Sequence, residues 1–98
     1  MEHYLGSDFI NISAYSLGAT HLIVFARVIL TPIISKIESD HVSTGISGVI
    51  GNKGAVSVSF NLGMTRVLFI SSHLAAGHDK IEKRNEDWKT IYRALVLR

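Results

Sequence analysis

The chain contains no cysteine, so disulfides and thiolate-held metals are excluded, which fits an intracellular protein. Proline is nearly absent too, with Pro32 standing alone. Gly45, Gly48, Gly51 and Gly54 recur at every third position, but four repeats without proline do not make a collagen helix. Clean hydrophobic runs are also lacking. The most apolar window, Leu17 to Ile34, is interrupted by His21, Arg27 and Pro32. An arginine near the centre of a membrane span costs roughly 2.5–3.5 kcal/mol, so a buried sheet strand is the better reading. Met1 is followed by Glu2, His3 and Tyr4 instead of a basic segment and an apolar run, so no signal peptide is expected. Neither a P-loop nor a dinucleotide fingerprint occurs, and no internal repeat, linker or low-complexity segment is evident.

What is present is a chain of 98 residues, 47% hydrophobic and 18% charged, as expected of folded protein. A lone domain of this size buries only about 60% of its unfolded surface. Strands apolar on both faces would then be hard to cover, which predicts a piece of a larger domain. The net charge of +2 is unevenly spread: residues 1–52 hold two basic and four acidic residues, residues 53–98 eight basic and four acidic. A basic C-terminal half suits an anionic ligand or a membrane surface. A solvated helix face explains the same charge.

Phe9, Ile12 and Tyr15 have no clean period but fit an edge strand, and Leu17 to Thr20 reads as a turn. His21 to Val28 is β-branched and continuous, the pattern of a strand covered on both faces. Pro32 is expected to stop any helix or ladder, Ile33 to Ile37 to make a short turn or strand, and Glu38-Ser39-Asp40 to be loop. Ala55 to Asn61 alternates, with Val56, Val58 and Phe60 on one face and Ala55, Ser57 and Ser59 on the other. Asn61-Leu62-Gly63-Met64 suits a hairpin connection to a strand over Arg66 to His73. That strand is apolar on both faces and is expected to be central. From Asp79 the period becomes helical, with Ile81, Trp88, Ile91, Tyr92 and Leu95 on one stripe and Asp79 and Glu82 at capping-box spacing.

Chemistry concentrates between Gly45 and Gly77. Lys53 offers a point charge and Asn52 amide donors, on a turn whose glycines permit close approach of a phosphate. A hairpin bearing a surface lysine is the alternative. His73 ends a strand, either as a buried, hydrogen-bonded structural residue or as a ligand group. Ser71 and Ser72 beside it do not complete a triad, since adjacent side chains face opposite ways and no placed carboxylate follows. With Asp79 capping the helix, His78 falls outside it and does not pair with Glu82 as a metal site. Arg84 and Asn85 lie in the first helical turns.

Jointly, TGISGVIGNKGAVSVSF and SSHLAAGHDKIEKRNEDW resemble the inositol polyphosphate 5-phosphatase family of the endonuclease/exonuclease/phosphatase superfamily. That family shows a glycine-rich GNKG-[GA]-V strand, an S-H-L-A-A-[GH] strand end and R-N-x-D-[YFW] on the next helix, in the same order and spacing. Tyr15-Ser16-Leu17-Gly18 through Phe25-Ala26-Arg27 looks like the preceding family strand. The resemblance is clearest over residues 12–94 and takes residues 1–98 as a partial catalytic domain.

The resemblance implies an α/β (α+β) fold, a fragment of a deoxyribonuclease I-like four-layer α/β sandwich with mostly antiparallel strands and a C-terminal helix. It implies a magnesium-dependent phosphomonoesterase acting on the 5-phosphate of phosphoinositides or soluble inositol phosphates. His73 would be catalytic, hydrogen-bonding the scissile phosphate. Asn52 and Lys53 would bind the headgroup, at its 1-phosphate, and Arg84 and Asn85 would support the site. The segment before GNKG and the Ile81–Asn85 region would lie near the lipid. Work at the cytosolic face of membranes, as a peripheral cytoplasmic protein without nucleic-acid partners, is the matching expectation. The family's metal-setting asparagine and glutamate, its G-D-x-N-Y-R and P-x-W-C-D-R-[IV]-L segments and its final Asp-His pair do not occur here. The Mg2+ ligands are therefore expected outside this chain, and the chain alone is expected to be inactive. A truncated phosphoinositide-binding paralogue and another phosphodiesterase of the superfamily are the alternative readings.

Overall fold

Two antiparallel sheets and a helix form three successive layers in a computed structural model that describes residues 8–18, 20–44, 53–75 and 77–97. Strands β1 (Phe9–Leu17) and β2 (Thr20–Arg27) make the first sheet, in register from Phe9 opposite Arg27 to Leu17 opposite Thr20. A register irregularity between Asn11 and Ser13 interrupts it. The second sheet contains β3 (Ile34–Ser43), β4 (Gly54–Leu62) and β5 (Thr65–His73), with β4 in the middle. Helix α1 (Ile81–Ile91) closes the third layer and runs on as one π-helical turn, Tyr92–Val96. No described helix is long and apolar enough to cross a membrane.

The alternation along β4 explains the layering, because it assigns the strand two different partners. Val58 and Phe60 meet Val24 of β2, joined by Ile12, Leu22, Ile34, Leu62 and Val67. On the opposite face Ala55 meets Ile91 and Leu95, joined by Val42, Ile70, Leu74 and Ala94. Every residue from Gly54 to Phe60 is consequently buried, Ser57 and Ser59 included. Polar contacts also tie the sheets together: Ser13 Oγ lies 3.0 Å from Ser39 Oγ, and Tyr15 Oη lies 2.7 Å from His41 Nδ1.

Several expectations need correction. The central strand is β4, while β5 lies at the edge of the described sheet with Phe69 46% exposed. Apolar residues on both faces reflect two packing layers, not two ladder neighbours. Among the described residues strand β2 packs on the core through Leu22 and Val24, while Ile23 on its other face is 40% exposed. Pro32 sits inside a 3-10 helix, Val28–Ile33. Its fixed φ suits that geometry, and so short a turn tolerates the missing donor. The ladder of the first sheet ends before it, at Arg27, and the second sheet begins directly after it, at Ile34.

Glu38, Ser39 and Asp40 belong to β3 and pair with Ser59, Val58 and Ser57. A break between Ser35 and Glu38, with Lys36 at φ 52°, lets this polar run join the sheet. Arg66 then fastens it, bonding Glu38, the Lys36 carbonyl at 2.8 Å and Ser59 Oγ at 2.8 Å.

The helix also differs from its expected form. It begins at Ile81 with Lys80 in the cap position and no side-chain cap, because the Lys80 amide donates to the Gly77 carbonyl at 3.3 Å in a turn that precedes it. Its buried stripe is Asp87, Ile91 and Leu95, whereas Ile81, Trp88 and Tyr92 are exposed. The polar duties of Asp87, described below, rotate the helix away from its most apolar orientation.

Candidate anion site at the strand ends

The end of β5 is paired to the start of β4, with His73 opposite Gly54 and Ser43 of β3 on the other flank of Gly54. Lys53 immediately precedes Gly54, so the ladder register delivers it to His73. Its Nζ lies 3.1 Å from His73 Nε2 in a part-buried setting. An ammonium has three donors and no acceptor, so Lys53 donates and Nε2 accepts. The Thr44 amide donates to the Lys53 carbonyl at 3.3 Å, which ties β3 to the same corner.

Only glycine fits beside this pair. Gly54 has φ 144°, and a β-carbon there would stand 2.3 Å from the Val42 carbonyl oxygen and 3.2 Å from Leu17 Cδ2. Both contacts are below ordinary van der Waals distance, and the backbone oxygen cannot swing aside. The alternation of β5 puts Ser71 on the same face as His73 and Ser72 on the other.

Beyond His73 the chain is held by α1. Arg84 Nη1 donates to the carbonyls of Ala75, at 3.1 Å, and Gly77, at 2.7 Å. The Ala75 amide donates to Asp87 Oδ2 at 3.3 Å, and Lys83 Nζ lies 3.0 Å from Asp87 Oδ1. Asp87 is only 2% exposed, so its charge is buried with these partners around it.

Of the residues picked out from sequence, Lys53 and His73 are thus brought into contact, and Arg84 grips the connection that follows His73. Asn85 lies on the exposed side of α1, and Asn52 falls outside the described residues. Asp87 received no role from sequence reasoning. Its signal was available in the spacing, since a carboxylate four residues before the apolar Ile91 shares the buried stripe.

Chemically, a lysine and a histidine at two adjoining strand ends suit an anion. They do not suit a divalent cation, and no group of three His, Asp or Glu among the described residues could hold a metal. No step is therefore routed through a metal at this pair.

Residues 2–98 match the family described as Endonuclease/Exonuclease/phosphatase family 2. The chain is 37% identical to inositol-1,4,5-trisphosphate 5-phosphatase 1 of Schizosaccharomyces pombe, over 95% of this chain and 9% of that protein. Identity to human synaptojanin-2 is 39%, over 91% of this chain and 6% of that protein. With human phosphatidylinositol 3,4,5-trisphosphate 5-phosphatase 1 it is 38%, over 99% of this chain and 8% of that protein. Among solved structures, the inositol polyphosphate 5-phosphatase domain of SPsynaptojanin, in complex with inositol (1,4)-bisphosphate and a calcium ion, superposes with a TM-score of 0.82. That match has 29% identity and covers 96% of this chain and 28% of the other. The chain thus spans under a tenth of the length of these curated relatives. It belongs to endonuclease/exonuclease/phosphatase family 2.

Proposed function

We propose that this chain supplies the phosphate-facing strand ends of an inositol polyphosphate 5-phosphatase, which hydrolyses the 5-phosphate monoester of phosphoinositides or soluble inositol phosphates. The observation that carries the reading is the Lys53–His73 contact of 3.1 Å, in a chain whose structural relative holds an inositol bisphosphate. Lys53 adds positive charge where a phosphate dianion would lie, with Asn52 beside it in sequence. His73 lies beside Lys53 and is proposed to hydrogen-bond a phosphate oxygen as charge shifts during the reaction.

The metal of the reaction is proposed to be Mg2+, neutralising phosphate charge from ligands other than the residues described. Attack on phosphorus also needs an activated water, and neither Lys53 nor His73 is proposed as its base. The substrate class places the work at the cytosolic face of membranes. The test is hydrolysis of inositol 1,4,5-trisphosphate by a complete catalytic domain carrying this segment. Release of the 5-phosphate is the expected result. Phosphoinositide binding without turnover, lost on Lys53→Ala, would instead indicate a non-catalytic binding protein, and cleavage of DNA alone a phosphodiesterase.

A further inference from the structure

His73 is the last residue of β5, which lies at the edge of the sheet among the described residues. Edge positions fray, because one side of the ladder is unpaired and the chain beyond the strand is held by nothing regular. The chain beyond His73 is nevertheless held here, from both polarities of its backbone. Arg84 takes two carbonyls, of Ala75 and Gly77, and Asp87 takes the intervening direction by accepting the Ala75 amide. Ala75 is thereby bonded through its N–H and its C=O to two side chains one helical turn apart on α1.

The cost of this arrangement identifies it as specific. A carboxylate is buried almost completely, and the helix leaves Ile81 and Trp88 exposed while turning Asp87 inward. Ile91 and Leu95 share the buried stripe with Asp87, whereas a stripe centred on the apolar residues would include Trp88 in its place. Lys83 covers the outer oxygen of Asp87 and leaves the other for Ala75.

We propose that Asp87, working with Arg84, is a positioning residue for His73: the pair clamps Ala75 and so sets the ring where Lys53 meets Nε2. The relevance of this to phosphate chemistry rests on the function proposed above, but the clamp itself does not. Misplacing a reacting group by a fraction of an ångström is expensive even when the group is chemically intact. A clamp two residues beyond the ring is therefore expected to be felt at the ring.

The test uses the whole chain, labelled with nitrogen-15, and reads the His73 ring by long-range proton–nitrogen correlation at mildly basic pH. The unaltered chain is expected to show Nε2 as the acceptor nitrogen and Nδ1 as the protonated one. In Asp87→Ala the ring is expected to lose that tautomer preference, Ala75 amide exchange to accelerate about tenfold or more, and inorganic phosphate to bind about tenfold more weakly. Asp87→Asn keeps an acceptor for Ala75 and is expected to restore the ring signature, although it loses the ion pair with Lys83.

A purely structural Asp87 would lower stability and leave the ring of the folded molecules unchanged, which overturns the proposal. If Asp87→Ala does not fold, Arg84→Gln decides: it removes the carbonyl arm, and an unchanged ring in that variant is equally fatal. An unaltered chain without the Nε2 acceptor signature also refutes the clamp. If that signature is present but neither inorganic phosphate nor inositol (1,4)-bisphosphate binds, the phosphatase reading loses its support and the clamp stands.

Discussion

At Gly54 the backbone of three strands converges, and the residue has no space for even a methyl group. Substitution by alanine must displace the Val42 carbonyl and strain a φ of 144°. We expect Gly54→Ala to destabilise the fold by about 2 kcal/mol or more, read as a lower urea midpoint. Two neighbours should separate binding from turnover in a complete catalytic domain. Lys53→Ala should raise KM more than it lowers kcat. His73→Ala should lower kcat by about a hundredfold, because it removes a donor needed most in the transition state. An unchanged kcat after the His73 substitution would sink its catalytic role. Residue by residue, Lys53 and His73 were picked out from sequence, and the β4–β5 register brings them into contact. Asp87 received no role from sequence although its spacing from Ile91 places it on the buried stripe, and its partner, the Ala75 amide twelve residues away, shows only in the fold.

Among the elements, β4 was read most faithfully, since strict alternation over Val56, Val58 and Phe60 leaves one arrangement. Strand β3 was the hardest, because Glu38, Ser39 and Asp40 carry loop composition. What makes them a strand is Arg66, which lies 28 residues from Glu38 and reaches across β4. Such long-range fastening leaves no local trace. The helix was found but rotated, because apolar periodicity cannot weigh a buried ion pair. This rotation gives a paired prediction. Ile91→Ala, in the buried stripe, should cost about 2–5 kcal/mol. Ile81→Ala should stay within about 0.5 kcal/mol, since Ile81 is 60% exposed. Comparable losses at both positions in chemical denaturation would show that the helix packs by its other face.

For the whole molecule, Lys53-Gly54 and the strand end at His73 adjoin in space although twenty residues apart in sequence, and that spacing is a property of the β4–β5 hairpin. The coverage of β2 was not legible, since a continuous apolar strand does not say which chain segment covers it. Ile10, Ile23, Ile29 and Phe69 are exposed. The chain alone is therefore expected to bind a hydrophobic dye such as anilinonaphthalene sulfonate more strongly than a complete catalytic domain does. Equal dye binding per molecule would show those positions covered in solution. The way β4 is built has a further consequence. It is the strand that gives fully buried residues to both cores, Val58 and Phe60 to one and Ala55 to the other, and Lys53 immediately precedes it. An anion held between Lys53 and His73 is thus bound by a surface that exists only while both cores are intact, so occupancy and folding are linked equilibria. At a hundred times its dissociation constant such a ligand adds about 2.7 kcal/mol to unfolding. Melting temperature thereby becomes a direct assay of the site, with no turnover required.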